Sequence, residues 1–145
     1  MKLYLDMCCL KRPFDDQTDA RIQVETLALE SLLQLCRIGE QEMIASDALR
    51  FENSRNPNSQ RREFAEILFT LTAHDVPNSP AIEQRAQAWQ NAGVPLLDAL
   101  HLASAERAGA DVFCTCDDVL LNRATRVPTV LRIVSLLDLF KELVP

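Results

Sequence analysis

Short apolar runs that recur between stretches of helical periodicity constrain this chain more than any other feature. Lys2-Leu3-Tyr4-Leu5, Glu42-Met43-Ile44-Ala45, Val112-Phe113-Cys114-Thr115 and Leu131-Arg132-Ile133-Val134 each have the length of a buried strand, and helical segments separate them. Parallel strands need crossover connections, so this alternation predicts an α/β protein with a mostly parallel sheet and helices on both faces. Ligands of such sheets bind beyond the carboxyl ends of the strands, near the point where strand order reverses. The sequence puts Asp6 directly after the first run and Asp117-Asp118 shortly after the third.

The intervening segments carry their own start and stop signals. After a loop holding Pro13, Asp15 and Asp16, either Thr18 or Asp19 caps a helix with Val24, Leu27, Ala28, Leu32, Leu35 and Cys36 at helical spacing, stopping at Gly39. Ser46 or Asp47 caps the next helix, which carries Leu49, Phe51 and, in its second turn, Glu52. Asn56-Pro57 and Ser79-Pro80 read as caps followed by proline at the first helical position, the former opening a helix with Phe64, Ile67, Leu68 and Leu71 on one face. Val94-Pro95 opens a helix with Leu97, Leu100, Ala103 and Ala108 that ends at Gly109; Asp98 lies in its first turn, where the helix dipole favours a carboxylate. Leu120, Leu121 and Ala124 mark a helix after Asp117-Asp118, and Ser135 caps a closing helix with Leu136, Leu139 and Leu143.

A chain of 145 residues, 48% hydrophobic and 25% charged, is expected to form one soluble domain over residues 1–145. Neither a signal-peptide h-region nor a membrane-length apolar stretch occurs, so a cytoplasmic protein is expected. Cys8, Cys9, Cys36, Cys114 and Cys116 are odd in number, which favours reduced thiols over a disulfide framework. Cys114 and Cys116 lack the two-residue spacer of a zinc knuckle, and their reading is small buried apolar side chains. A net charge of -6 opposes coating of nucleic acid through many Lys and Arg contacts. It leaves room for a phosphodiester substrate if carboxylates recruit divalent cations.

Asp6, Glu52, Asp98 and Asp117 come from four segments, each following a strand or lying early in a helix. If they converge, cations or protons must offset their repulsion, and carboxylate oxygens are ligands of magnesium and manganese. No covalent nucleophile stands out: Cys8 and Cys9 have no nearby histidine, and His74 shows no metal-ligand spacing. Phosphoryl transfer by an aspartyl nucleophile is disfavoured because Cys8 stands where a second acid two residues after Asp6 would serve it. His101, one turn after Asp98, reads as a hydrogen-bonded packing residue, and Arg50, Arg55, Arg61 and Arg62 form a basic cluster for which solvation competes with RNA phosphate contact.

Four stretches resemble the PIN-domain family, which includes VapC-type toxin ribonucleases: Leu3-Tyr4-Leu5-Asp6, Ser46 to Glu52, Leu97-Asp98-Ala99-Leu100-His101-Leu102-Ala103, and Thr115-Cys116-Asp117-Asp118. The third and fourth, in that order and spacing, are the most specific. The resemblance implies a three-layer α/β/α sandwich around a mostly parallel sheet of about five short strands, and a metal-dependent endoribonuclease. Asp6, Glu52, Asp98 and Asp117 would be its catalytic acids and ligate Mg2+ or Mn2+, with Thr115 orienting the site and Asp118 able to exchange roles with Asp117. It further implies an RNA substrate, a small antitoxin partner that places a basic residue in the acidic pocket, and a homodimer. The family often has threonine or serine just after its first Asp, where this chain has Met7 and Cys8. A non-catalytic module that binds RNA or protein on the same fold is the alternative.

Overall fold

A computed structural model describes residues 1–145. Its sheet is β1 (Lys2–Leu5), β2 (Glu42–Ser46), β3 (His74–Val76), β4 (Val112–Thr115) and β5 (Arg132–Ser135), in the order β3-β2-β1-β4-β5 with every pair parallel. β1 is central, and Leu3 pairs with Met43 on one side and Val112 on the other. Leu3, Tyr4, Leu5, Met43, Ile44, Val112 and Phe113 are all buried, as befits strands covered on both faces. The chain moves from β1 toward β2 and β3 on one flank and adds β4 and β5 on the other. The reversal of strand order therefore falls between β1 and β4, the strands that Asp6 and Asp117 follow.

The helices are α1 (Met7–Leu10), α2 (Ala20–Arg37), α3 (Asp47–Ser54), α4 (Ser59–Thr70), α5 (Pro80–Asn91), α6 (Leu96–Arg107), α7 (Asp118–Ala124) and α8 (Leu136–Leu143). Right-handed crossovers place α2 and α4 over one face of the sheet and α5, α6 and α7 over the other, giving the three-layer α/β/α sandwich. In agreement, α8 packs on α2 and α5 packs on α6.

Several local details differ from the sequence reading. Met7–Leu10 is a helix rather than loop, capped by the Asp6 carboxylate, which accepts from Met7 N at 2.8 Å. Ala73 to Val76 has no strand pattern in sequence, yet His74–Val76 forms the edge strand β3; its three residues are too few and too polar to register as an apolar run. α4 begins at Ser59, with Asn58 rather than Asn56 as its cap, because the Asn58 side chain accepts from Arg61 N while Asn56 turns the preceding loop. Pro57 therefore lies ahead of the helix. Asp19, one of two candidate caps, starts α2.

The inner face of α2 is also rotated from the one read. Val24 and Leu27 are exposed, while Glu25, Ala28, Leu29 and Leu32 are buried. Glu25 is tolerated there because Arg21 Nε bonds it at 3.0 Å and Arg12 lies 3.6 Å away, so the buried charge is paired. On α4, Ile67 is exposed, as is Leu71 just past its end, and Leu68 and Phe69 face the core.

Candidate metal centre

Asp6 leaves the end of β1 almost fully buried, with Oδ1 held by Met7 N and Oδ2 accepting from Thr115 Oγ1 at 2.9 Å. Thr115 ends β4, and its Oγ1 also accepts from Asp117 N at 3.1 Å, so one hydroxyl ties the two strand ends together. Cys8 Sγ lies 3.4 Å from Asp6 Oδ2 and 3.2 Å from Thr115 Oγ1. A thiol therefore adjoins both Asp6 and Thr115. Asp117 caps α7 through Oδ1, which accepts from Val119 N and Leu120 N. Its Oδ2 makes no hydrogen bond.

Asp98 enters from the first turn of α6, half-buried and without a hydrogen-bond donor. Glu52 enters from α3, and the candidate ligand atoms of Asp6, Glu52 and His101 lie within 4.8 Å of one another. Burial raises the pKa of Asp98, and Asp117 and Glu52 add to the rise; burial likewise pushes Asp6 well up, with further contributions from Cys8, Asp98 and Glu52. Asp6 thus senses Glu52 and Asp98, and Asp98 senses Glu52 and Asp117, while only Asp6, Glu52 and His101 bring ligand atoms within 4.8 Å of one another.

This donor set suits a hard divalent cation. Trans oxygens of a magnesium shell stand about 4.2 Å apart, and two acids within such reach repel unless a cation or proton intervenes. His101 is less available, because its Nε2 is bonded to Glu52 Oε1 at 2.8 Å.

That histidine belongs to a chain of buried hydrogen bonds. Leu49 N donates to Ser46 Oγ at 3.0 Å, Ser46 Oγ lies 2.6 Å from Tyr4 Oη, and Tyr4 Oη lies 2.7 Å from His101 Nδ1. One arrangement satisfies every group: serine donates to tyrosine, tyrosine to Nδ1, and the Nε2 proton to Glu52. Tyr4, Ser46 and His101 are fully buried. The Glu52 carboxylate is consequently aimed from the sheet interior, as outer partners aim metal ligands.

The packing role read for His101 holds, and its second nitrogen also positions Glu52. The legible signal for this is Tyr4, a phenol in a strand buried on both faces, which must find a hydrogen-bond partner. Asp118 turns away from the cluster: its side chain is 66% exposed and forms a bidentate pair with Arg21.

The basic cluster divides. Arg50 pairs with Asp75, Arg61 with Asp15 and Phe14 O, and Arg62 with Asn56 O, while Arg55 lies over Phe51 without an ion pair. Lys11, Arg55 and Arg61 join Glu52 in lining a groove of about 470 Å³.

Fold and cluster together define a class: a parallel α/β protein with a carboxylate centre at its switch point. A family model for the PIN domain matches residues 3–126, and the chain belongs to that family. Among solved structures, the chain is similar to FitAcB from Neisseria gonorrhoeae, at 14% identity and a TM-score of 0.58, covering 93% of this chain and 98% of that one. It is equally similar to VapBC2 from Rickettsia felis bound to a DNA fragment from their promoter, at 12% identity, a TM-score of 0.58 and the same coverage. At these identities the likeness is one of fold. No curated protein matches the chain in sequence. No helix is long and apolar enough to cross a membrane.

Proposed function

We propose that this protein is a Mg2+- or Mn2+-dependent endoribonuclease, with Asp6, Glu52, Asp98 and Asp117 as the acids that hold the cation. The observation that carries this reading is the closeness of Asp6 and Glu52 at the switch point of a PIN-domain sheet, with the pKa values of Asp6 and Asp98 raised by burial and by neighbouring acids. A hard cation bound there supplies Lewis acidity and positive charge for a phosphodiester, which removes the need for a covalent nucleophile. The chain's own groups do the positioning. Thr115 fixes Asp6, the Tyr4–His101 pair fixes Glu52, and the α7 N-terminus fixes Asp117.

The groove beside Glu52 suggests how RNA would approach. Lys11 and Arg55 take part in no ion pair and stand free to meet phosphates, giving local positive charge on an acidic protein. The fold shared with VapBC2 and FitAcB supports a toxin role for this chain; the reading also includes a small antitoxin that places a basic residue in the acidic centre, and a homodimer.

The test is cleavage of a mixed RNA pool with magnesium or manganese, comparing wild type with Asp98→Asn and with added EDTA. Cleavage abolished in both controls is the expected result. Absence of cleavage together with absence of metal binding by calorimetry would overturn the proposal in favour of a PIN-fold binding module.

A further inference from the structure

Beside the carboxylates, the fold gathers thiols that lie far apart in sequence. Cys8 and Cys9 sit on the single turn of α1, and Cys116 follows β4; their three Sγ atoms lie within 4.8 Å of one another, with Cys9 and Cys116 at 3.6 Å. We infer that Cys8, Cys9 and Cys116 form a binding site for a thiophilic divalent cation of the zinc class, which braces the two segments that carry Asp6 and Asp117.

Distances and one backbone hydrogen bond support this assignment. Zinc–thiolate bonds of about 2.3 Å in tetrahedral geometry set sulfurs about 3.8 Å apart, close to the spacing already present before any ion enters. Cys116 N donates to Cys8 Sγ at 3.2 Å, a bond that favours sulfur as thiolate. Three thiolates around a divalent cation carry one net negative charge; the neighbouring Arg12 is shared with Asp15 and Glu25. Its Nε is buried with no hydrogen-bond partner, and its guanidinium feels Cys116. Arg21 also reaches the Cys116 carbonyl at 3.4 Å.

Cys8 is only half-buried, so an ion has a way in, and a water completes the fourth position. Binding releases three protons as Zn2+ replaces the three S–H hydrogens, with no change of oxidation state. Sequence spacing hid this site because no two of its ligands show a zinc-knuckle interval; the pairing of β1 with β4 brings Cys116 to Cys8 and Cys9.

The experiment titrates the reduced, metal-free full chain with Cd2+ and follows the ultraviolet thiolate-to-cadmium charge-transfer absorption, which carboxylates do not produce. We expect saturation at one equivalent, displacement by Zn2+, and Zn2+ protection of the half-buried Cys8 from alkylation as read by mass spectrometry. Zinc at about a hundred times its Kd should raise Tm by about 8 °C. Cys116→Ala and, at the half-buried position, Cys8→Ala should each lose the absorption, while Glu52→Gln keeps it. No absorption from wild type, or absorption that survives in both cysteine variants, overturns the inference; neither readout depends on RNA cleavage.

Discussion

Replacing Asp6 with asparagine tests whether the centre is electrostatically strained without a cation. The ligand atoms of Asp6 and Glu52 lie within 4.8 Å, and unit charges at that distance repel by about 3.5 kcal/mol at an effective dielectric constant of about 20. Water reaching Glu52, whose side chain is 26% exposed, reduces this figure. Asparagine keeps the α1 cap and can still meet Thr115, losing about 1 kcal/mol of charge assistance. The balance is a metal-free variant more stable than wild type by about 1–2 kcal/mol, or about 3–8 °C in Tm.

The pH dependence has a definite sign. Burial raises the Asp6 pKa in the folded state, so between the ordinary carboxylate range and that raised value the folded protein binds more protons than the unfolded chain, and wild-type stability falls as pH rises. The Asp6→Asn variant has no group to titrate at this position. Melting curves in EDTA should therefore coincide in acid and separate toward neutral pH, with saturating Mg2+ reversing the order because only wild type gains the full ligand set. A variant less stable than wild type at neutral pH in EDTA, or a gap independent of pH, would refute the reasoning.

Two further predictions concern the surroundings of the centre. Tyr4→Phe removes the link between Ser46 and His101, leaving buried His101 Nδ1 without a donor and the Ser46 hydroxyl proton without an acceptor; it should lower stability by about 1–3 kcal/mol in denaturant melts and reduce metal-dependent cleavage about 10-fold as Glu52 loses its orientation. Lys11→Ala with Arg55→Ala should weaken RNA binding and flatten the slope of log K against log salt by about 1.4, the loss of about two phosphate contacts on a single strand, measured by fluorescence anisotropy.

Legibility in the sequence followed the range of the interactions. β1, β2, β4 and β5 were readable because each is a short apolar run bounded by caps, and Asp6 and Asp117 were readable because strand ends place them. β3 was not, since its pairing with β2 rather than its composition makes it a strand. Val24 and Leu27 misled the reading of α2: periodicity reports an apolar stripe, whereas the buried stripe here includes Glu25, whose presence depends on Arg12 and Arg21. Such a pair shows no local pattern.

Glu52 illustrates the same limit at the candidate centre. A glutamate in the second turn of a helix is ordinarily solvated, and nothing within several residues distinguishes it. What distinguishes it is a donor supplied across 49 residues by His101, itself held by Tyr4 across 97. The acids near strand ends owe their place to backbone topology, and a pattern can record that. Glu52 owes its aim to a chain of side chains from β1, β2 and α6, which only the folded arrangement brings into line. The network most sensitive to single substitutions therefore lies one layer beneath the carboxylates.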